Sequence, residues 1–334
     1  MTGEHSAAIR RTVELAPSRR IHWTAAQLMA AQFPEPRWAV PGLIAEGATL
    51  LAGPPKVGKS WLALGLAVAV ASGGRALGKI EVDAGDVLYL ALEDPPRRAQ
   101  QRLGIVLAGD PAPDGLHLWT AIDDPVDELD AWCTAHPAAR LVVVDVLAKV
   151  RPPTGEQTNQ YQADYGAVGR LKAIADRHGV ALVLVHHVRK AGADDFLDTI
   201  SGTHGLAGAA DTILILSRSR GAADAVLKVT GRDVTEAEHA VKFVADLGAW
   251  QLLDGPARDH ELQPARRQIL AAVREHDGLT PKKIAEVAGV SHDTVRQLVR
   301  KMVDAGDLDT DGAGRYFLPA LSHRSQRSLT HTDE

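Results

Sequence analysis

At 334 residues, with 45% hydrophobic and 24% charged side chains, the chain has an ordinary globular composition and the length of one large domain plus a small one. Its net charge of −5 excludes a protein coated in basic residues, so any nucleic-acid contact must come from local patches. The single cysteine, Cys133, excludes an internal disulfide and a cysteine-based zinc site, and the longest apolar run, Trp61–Ala71, is too short to cross a bilayer.

The N-terminal stretch Met1–Arg20 is polar, with charges of both signs and no apolar signal core, so a disordered tail and a cytoplasmic location are expected. Thr24 and Gln27 form a capping-box pattern ahead of Leu28 and Met29, which predicts a short helix over Thr24–Gln32, stopped by Pro34, Pro36 and Pro41. From Ala48 onward, the apolar runs Thr49–Ala52, Val87–Leu92, Leu116–Ala121, Leu141–Val146 and Ala181–Val185 alternate with helix-length segments. That alternation is the pattern of a parallel sheet covered on both faces. The later runs Thr212–Leu216, Ala225–Val229, His239–Val244 and Trp250–Leu253 are joined by short turns, so this end of the sheet is expected to be antiparallel.

Three of these runs deliver chemistry at their C-terminal ends. Gly53-Pro54-Pro55-Lys56-Val57-Gly58-Lys59-Ser60 fits the Walker A pattern, between an apolar strand and the helical run Trp61–Ser72. In that geometry glycines let backbone N–H groups wrap phosphates and the helix N-terminus adds a favourable dipole. Lys59 then reaches the β- and γ-phosphates and Ser60 ligates Mg²⁺, so ATP with Mg²⁺ is the expected ligand and Gly53 to Trp61 its cradle. Leu141–Asp145 is an apolar strand ending in an acid, the Walker B arrangement, which would set Asp145 beside the same Mg²⁺; the alternative is a cap on the next turn. The run Val87–Leu92 delivers Glu93 and Asp94, and a carboxylate there can orient and deprotonate an attacking water. Glu93 is the better base, because Asp94 precedes Pro95 and suits a cap on a helix starting at Pro95 and Pro96; the alternative is that both acids only cap that helix.

A linker with Asp254, Gly255, Pro256 and Pro264 ends this pattern. Ala265–Glu275 reads as an amphipathic helix, Thr280-Pro281 opens a second helix to Ala288, Gly289-Val290-Ser291 turns, and His292–Ala305 is a third helix with Val295, Leu298, Val299 and Met302 inward. Leu308–Leu318, with Asp311-Gly312 at its tip, completes a winged helix-turn-helix. It would present Ser291, His292, Thr294, Arg296, Arg300, Lys301 and Arg315 to a DNA groove, while Asp293, Asp304 and Asp307 leave a protein-docking role open. Beyond Ser322 the chain is polar and is expected to be disordered.

Between Ile21 and Leu253 the motifs fall in one order: Trp38–Gly47, the Walker A loop, Leu90–Asp94, Val143–Asp145, His186–Lys190, Ser201–Gly205 with Ala209–Asp211, and Gly231–Asp233. Together they resemble RepA-like hexameric ATPases of the RecA superfamily, relatives of the bacterial replicative helicases. The resemblance implies that His187 senses the γ-phosphate, although a histidine after a strand often bonds only to backbone. It implies that Arg232 is an arginine finger inserted into a neighbouring subunit, with Lys228 and Arg218 as substitutes and a surface ion pair as the alternative. It also implies that the loops Lys149–Gln160 and Val188–Gly202 face a channel, where Lys149, Arg151, Arg189 and Lys190 grip single-stranded DNA. Asp194, Asp195 and Asp198 favour solvated loop charges instead.

The resulting expectation is an α/β RecA-like ATPase with a C-terminal winged helix: residues 1–20 a tail, 21–254 the ATPase, 255–264 a linker, 265–320 the winged helix and 321–334 a second tail. The resemblance implies a ring-forming, six-membered DNA helicase, and the appended module suggests a phage or other mobile element as its source. The rivals are a RecA- or RadA-like ATPase in DNA repair, and a DNA-binding regulator switched by ATP.

Overall fold

The computed structural model describes residues 22–151, 160–188, 204–218, 224–255 and 264–319. The two expected tails lie outside the described residues, as do Arg189, Lys190 and most of the two channel loops. The chain divides into two units, Met1–Pro36 and Arg37–Glu334. In the first, helix α1 (Ala25–Ala30) carries the capping box at Thr24: the Gln27 N–H donates to Thr24 Oγ1 and the Thr24 N–H donates to Gln27 Oε1, both at 3.2 Å. It is shorter than expected because Ala31 is already extended, and Trp23 meets Phe33 edge-on at 5.9 Å.

The second unit opens with the hairpin β1 (Trp38–Val40) and β2 (Ile44–Ala45), then runs through β3 (Gly47–Gly53), α2 (Lys59–Ser72), a small hairpin of β4 (Arg75–Ala76) and β5 (Ile80–Glu81), and β6 (Asp86–Ala91). It continues with α3 (Pro96–Leu107), β7 (Leu116–Trp119), α4 (Pro125–Ala135), β8 (Ala139–Asp145), α5 (Gln160–His178), β9 (Ala181–His187) and α6 (His204–Ala209). The sheet is completed by β10 (Thr212–Ser217), β11 (Asp224–Gly231), β12 (Ala237–Val244) and β13 (Ala249–Leu252).

Nine of these strands form one sheet in the order β13-β12-β11-β10-β3-β9-β8-β6-β7. Pairing is parallel from β10 to β7 and antiparallel from β10 to β13, as the run spacing predicts. The central strands are buried along nearly their whole length and are mostly apolar, because both faces are covered. Alternate residues separate cleanly. Leu51, Tyr89, Val143 and Val183 pack toward α2, while Leu50, Leu90, Val144 and Leu184 pack toward α4, α5 and α6. On α4, Cys133 is buried beside Leu129 and Trp132, and burial, reinforced by Asp130, pushes its thiol up to about 11.

The C-terminal part comprises α7 (Pro264–Glu275), α8 (Pro281–Ala288), α9 (His292–Asp304) and the wing strands β14 (Asp309–Thr310) and β15 (Tyr316–Phe317). Ile269, Leu270, Val273, Ile284, Val295, Val299, Met302 and Leu308 make a core of their own. Asp307 is buried and paired to Arg266 at 2.6 Å, so it belongs to this core and not to the exposed face of α9. Among the described residues no helix is long and apolar enough to cross a membrane.

Candidate active site

Parallel pairing brings the C-terminal ends of β3, β9, β8 and β6 to one edge of the sheet, with Gly53 opposite His187 and Ala91 opposite Asp145. Ligands bind at this edge in open α/β sheets. The loop from Gly53 to Gly58 turns there into α2, with positive φ at Lys56 (64°) and Gly58 (106°), and such turns line up successive backbone N–H groups as an anion nest. Gly58 caps α2 without a side chain, so the first amides of the helix remain free to meet a ligand.

Lys59 is buried, and its Nζ donates to the carbonyls of Gly53 at 2.8 Å and Pro54 at 3.0 Å and lies 2.9 Å from His187 Nδ1. Burial lowers its pKa to about 8, against the pull of Asp145 and Glu93. An ammonium has only donors, so His187 Nδ1 is the acceptor and the imidazole proton sits on Nε2. That nitrogen faces Glu93 Oε2 at 3.7 Å. Lys59 and Glu93, 34 positions apart in sequence, therefore flank the two nitrogens of one imidazole. Neighbouring His186 is partly buried, and that burial, with the positive charge of Arg151 nearby, lowers its pKa to about 4.

Asp145 lies in the same pocket at the end of β8. Its Oδ2 accepts from the Tyr89 hydroxyl at 2.7 Å, and Ser60 also hydrogen-bonds to the carboxylate. Oδ1 is buried and has no hydrogen-bond partner among the described residues. Burial raises the carboxyl's pKa, offset by the Tyr89 and Ser60 hydrogen bonds. An orphaned buried carboxylate oxygen beside a hydroxyl is a donor set that fits Mg²⁺, a hard cation that takes one or two carboxylates and completes its shell with phosphate and water. Among the described residues no group of three or more His, Cys, Asp or Glu could hold a metal alone, so a Mg²⁺ held here would draw its remaining ligands from substrate and solvent.

Asp94 does not cap α3 and thereby corrects one expected alternative. Pro95 is the N-cap and no side chain caps the helix, whereas Asp94 pairs with Arg98 at 3.3 Å and with Arg102. The Arg102 guanidinium lies over the Trp61 ring, 5.5 Å from its centroid, which ties α3 to the first turn of α2. Glu93 is left half exposed and takes no part in capping.

The other expected residues lie elsewhere. Arg232 follows β11 at the opposite end of the sheet, since Gly231 pairs with Thr212 and Thr212 with Thr49. Roughly 15 Å of strand separates that level from Gly53. Its side chain is 65% exposed and pairs with Asp211 at 3.1 Å, away from this chain's own phosphate-binding loop. Lys228 pairs with Glu238 at 2.7 Å, and Arg218 is exposed after β10. Lys149 ends a 3-10 turn, Leu147–Lys149, and is exposed, while Arg151 is half buried. Arg296, Arg300 and Lys301 are exposed on α9, and Arg315 is exposed at the wing. Tyr89 was not singled out from the sequence; its signal was its place on the α2 face of β6, where a buried hydroxyl must find a partner.

A family model described as an AAA domain matches residues 14–193, more than half of the chain. A second, described as the MarR family, matches residues 260–315. A solved DnaB-like replicative helicase, described together with its interactions with primase, superposes with a TM-score of 0.51 at 16% identity, over 62% of this chain and 59% of that one. The chain thus spans less than two thirds of the helicase it superposes on, and at that identity the likeness is one of fold. With its loop, its strand-end acid and its mostly parallel sheet, the chain belongs to the AAA domain family of P-loop proteins, with a RecA-like core and a C-terminal winged helix of the MarR type.

Proposed function

We propose that this protein hydrolyses ATP with Mg²⁺ and uses it as a motor on DNA, as a ring helicase of the RepA-like kind acting in replication of a phage, plasmid or other mobile element. The observation that carries the ATPase reading is the convergence of His187, Glu93 and Asp145, from the ends of β9, β6 and β8, on Lys59 and the loop after β3. In this reading Glu93 accepts the proton of the attacking water, and Lys59 releases its loop carbonyls to hold the β- and γ-phosphates. His187 links the two and reports phosphate loss to the chain beyond β9. Ser60 and the unpartnered Oδ1 of Asp145 would hold Mg²⁺, which when bound would supply charge neutralisation for the transferred phosphoryl.

The motor reading draws on the fold shared with a DnaB-like replicative helicase and on the exposed cations Arg296, Arg300 and Lys301. It divides the chain into an ATPase over 21–254, a linker over 255–264 and a winged helix over 265–320, assembled as a ring in the cytoplasm. Arg232 acts as the finger in trans, and Lys149, Arg151, Arg189 and Lys190 line the channel. Hydrolysis measured with and without single-stranded DNA, followed by unwinding of a forked duplex, tests it. Strand separation supports the motor, and DNA-independent hydrolysis without unwinding rejects it. The MarR-type match favours one rival, a DNA-binding regulator switched by ATP, for which duplex affinity changes with nucleotide while forks stay closed.

A further inference from the structure

The outermost strand of the sheet, β13, reaches back to the phosphate-binding loop through one side chain. Trp250 is 4% exposed, and its indole Nε1–H donates to the Gly58 carbonyl at 3.0 Å. The same carbonyl accepts the first helical bond of α2, from the Leu62 N–H at 3.0 Å. The ring lies so close to Gly58 that a Cβ there would stand 2.9 Å from Trp250 Cζ2. Behind it Phe243 of β12 packs on the indole at 5.2 Å and on Trp61 at 6.1 Å, and Gly248, with φ of 55°, leaves no room for a side chain against Trp61. All of these strand residues lie beyond the span matched by the AAA-domain model.

A trans peptide points its C=O and its N–H in opposite directions. Two donors on the Gly58 oxygen therefore hold the Gly58–Lys59 peptide with the Lys59 N–H facing the inside of the loop, where an anion nest needs it. A hydrophobic filler would do the packing without the indole N–H. Here the buried donor has its partner in the loop itself.

We propose that Trp250 is a positioning residue for the phosphate-binding loop, so that nucleotide occupancy of the loop is felt at β13. This inference rests on the nucleotide-binding reading above. Replacing Trp250 by Phe keeps a ring and removes one hydrogen bond, so affinity for ADP with Mg²⁺ should fall about 3- to 10-fold. The loop amide meets bound nucleotide before and during reaction alike, so KM for ATP should rise by a similar factor while kcat stays within about twofold. In the full-length chain labelled with 5-fluorotryptophan, the ¹⁹F resonance that vanishes in W250F should shift when ADP and Mg²⁺ are added to wild type. If W250F does not fold, Trp250→Tyr serves for both assignment and affinity. Wild type that binds ADP without moving the Trp250 resonance, or a variant that binds ADP as tightly as wild type, overturns the inference alone. Wild type that binds no ADP overturns the nucleotide reading, and this inference falls with it.

Discussion

Each N–H of the Lys59 ammonium has a partner in or beside the loop, and those contacts define what single substitutions will do. Lys59→Ala should lower hydrolysis by at least about 100-fold, because the charge that meets the developing phosphoryl anion is gone. Glu93→Gln should lower kcat by about 10²- to 10⁴-fold with nucleotide binding retained, as measured by equilibrium dialysis against turnover, since the side chain is half exposed and packs no core. Unchanged kcat in E93Q would exclude Glu93 as the base. His186 titrates differently. Its folded pKa of about 4 lies below the ordinary 6.5, so between these values the unfolded chain binds a proton that the folded chain refuses. Its contribution is therefore fully present above about pH 6.5 and is lost as pH falls toward 4, a loss of roughly 1–3 kcal/mol. Urea unfolding of His186→Gln at pH 7.5 and pH 4.5 should show a smaller acid loss than wild type, and equal losses would dismiss His186 as the source.

At the level of elements, periodicity explains how much of the fold could be read from the sequence. All nine strands of the main sheet overlap apolar runs, most plainly the central ones, because a strand covered on both faces is built mostly from apolar residues. The hairpins β1–β2 and β4–β5 have strands of two or three residues, too short to show a period, and were not foreseen. Site residues were legible where a motif fixed them in a local turn, as from Gly53 to Ser60. Partners distant in sequence were not: Tyr89 lies 56 positions from Asp145 and Trp250 lies 192 from Gly58. Asp94 looked like a cap because Pro95 follows it, yet its carboxylate turns to Arg98 and Arg102. On α9, Ser291 Oγ accepts from the Thr294 N–H at 3.2 Å, so Ser291→Ala should destabilise the C-terminal part by about 1 kcal/mol in thermal melts. A melt unchanged by that replacement would show that the cap is matched by solvent.

For the whole molecule, the distance between Arg232 and its own loop has a consequence for assembly. If Arg232 completes a neighbour's site, Arg232→Ala and Lys59→Ala chains should each be nearly inactive alone but regain hydrolysis when mixed, because a Lys59→Ala subunit still offers its arginine to an intact loop. Mixtures that stay inactive under exchange conditions would reject the trans assignment. Cys133 bears on how such assemblies can be followed. Its thiol is buried and held at about 11, so at neutral pH it offers almost no thiolate to maleimides or disulfide reagents. A second cysteine placed on α9 or beside Arg232 would then be the one reactive thiol in each subunit, and dyes or cross-linkers could be attached there in the otherwise native chain.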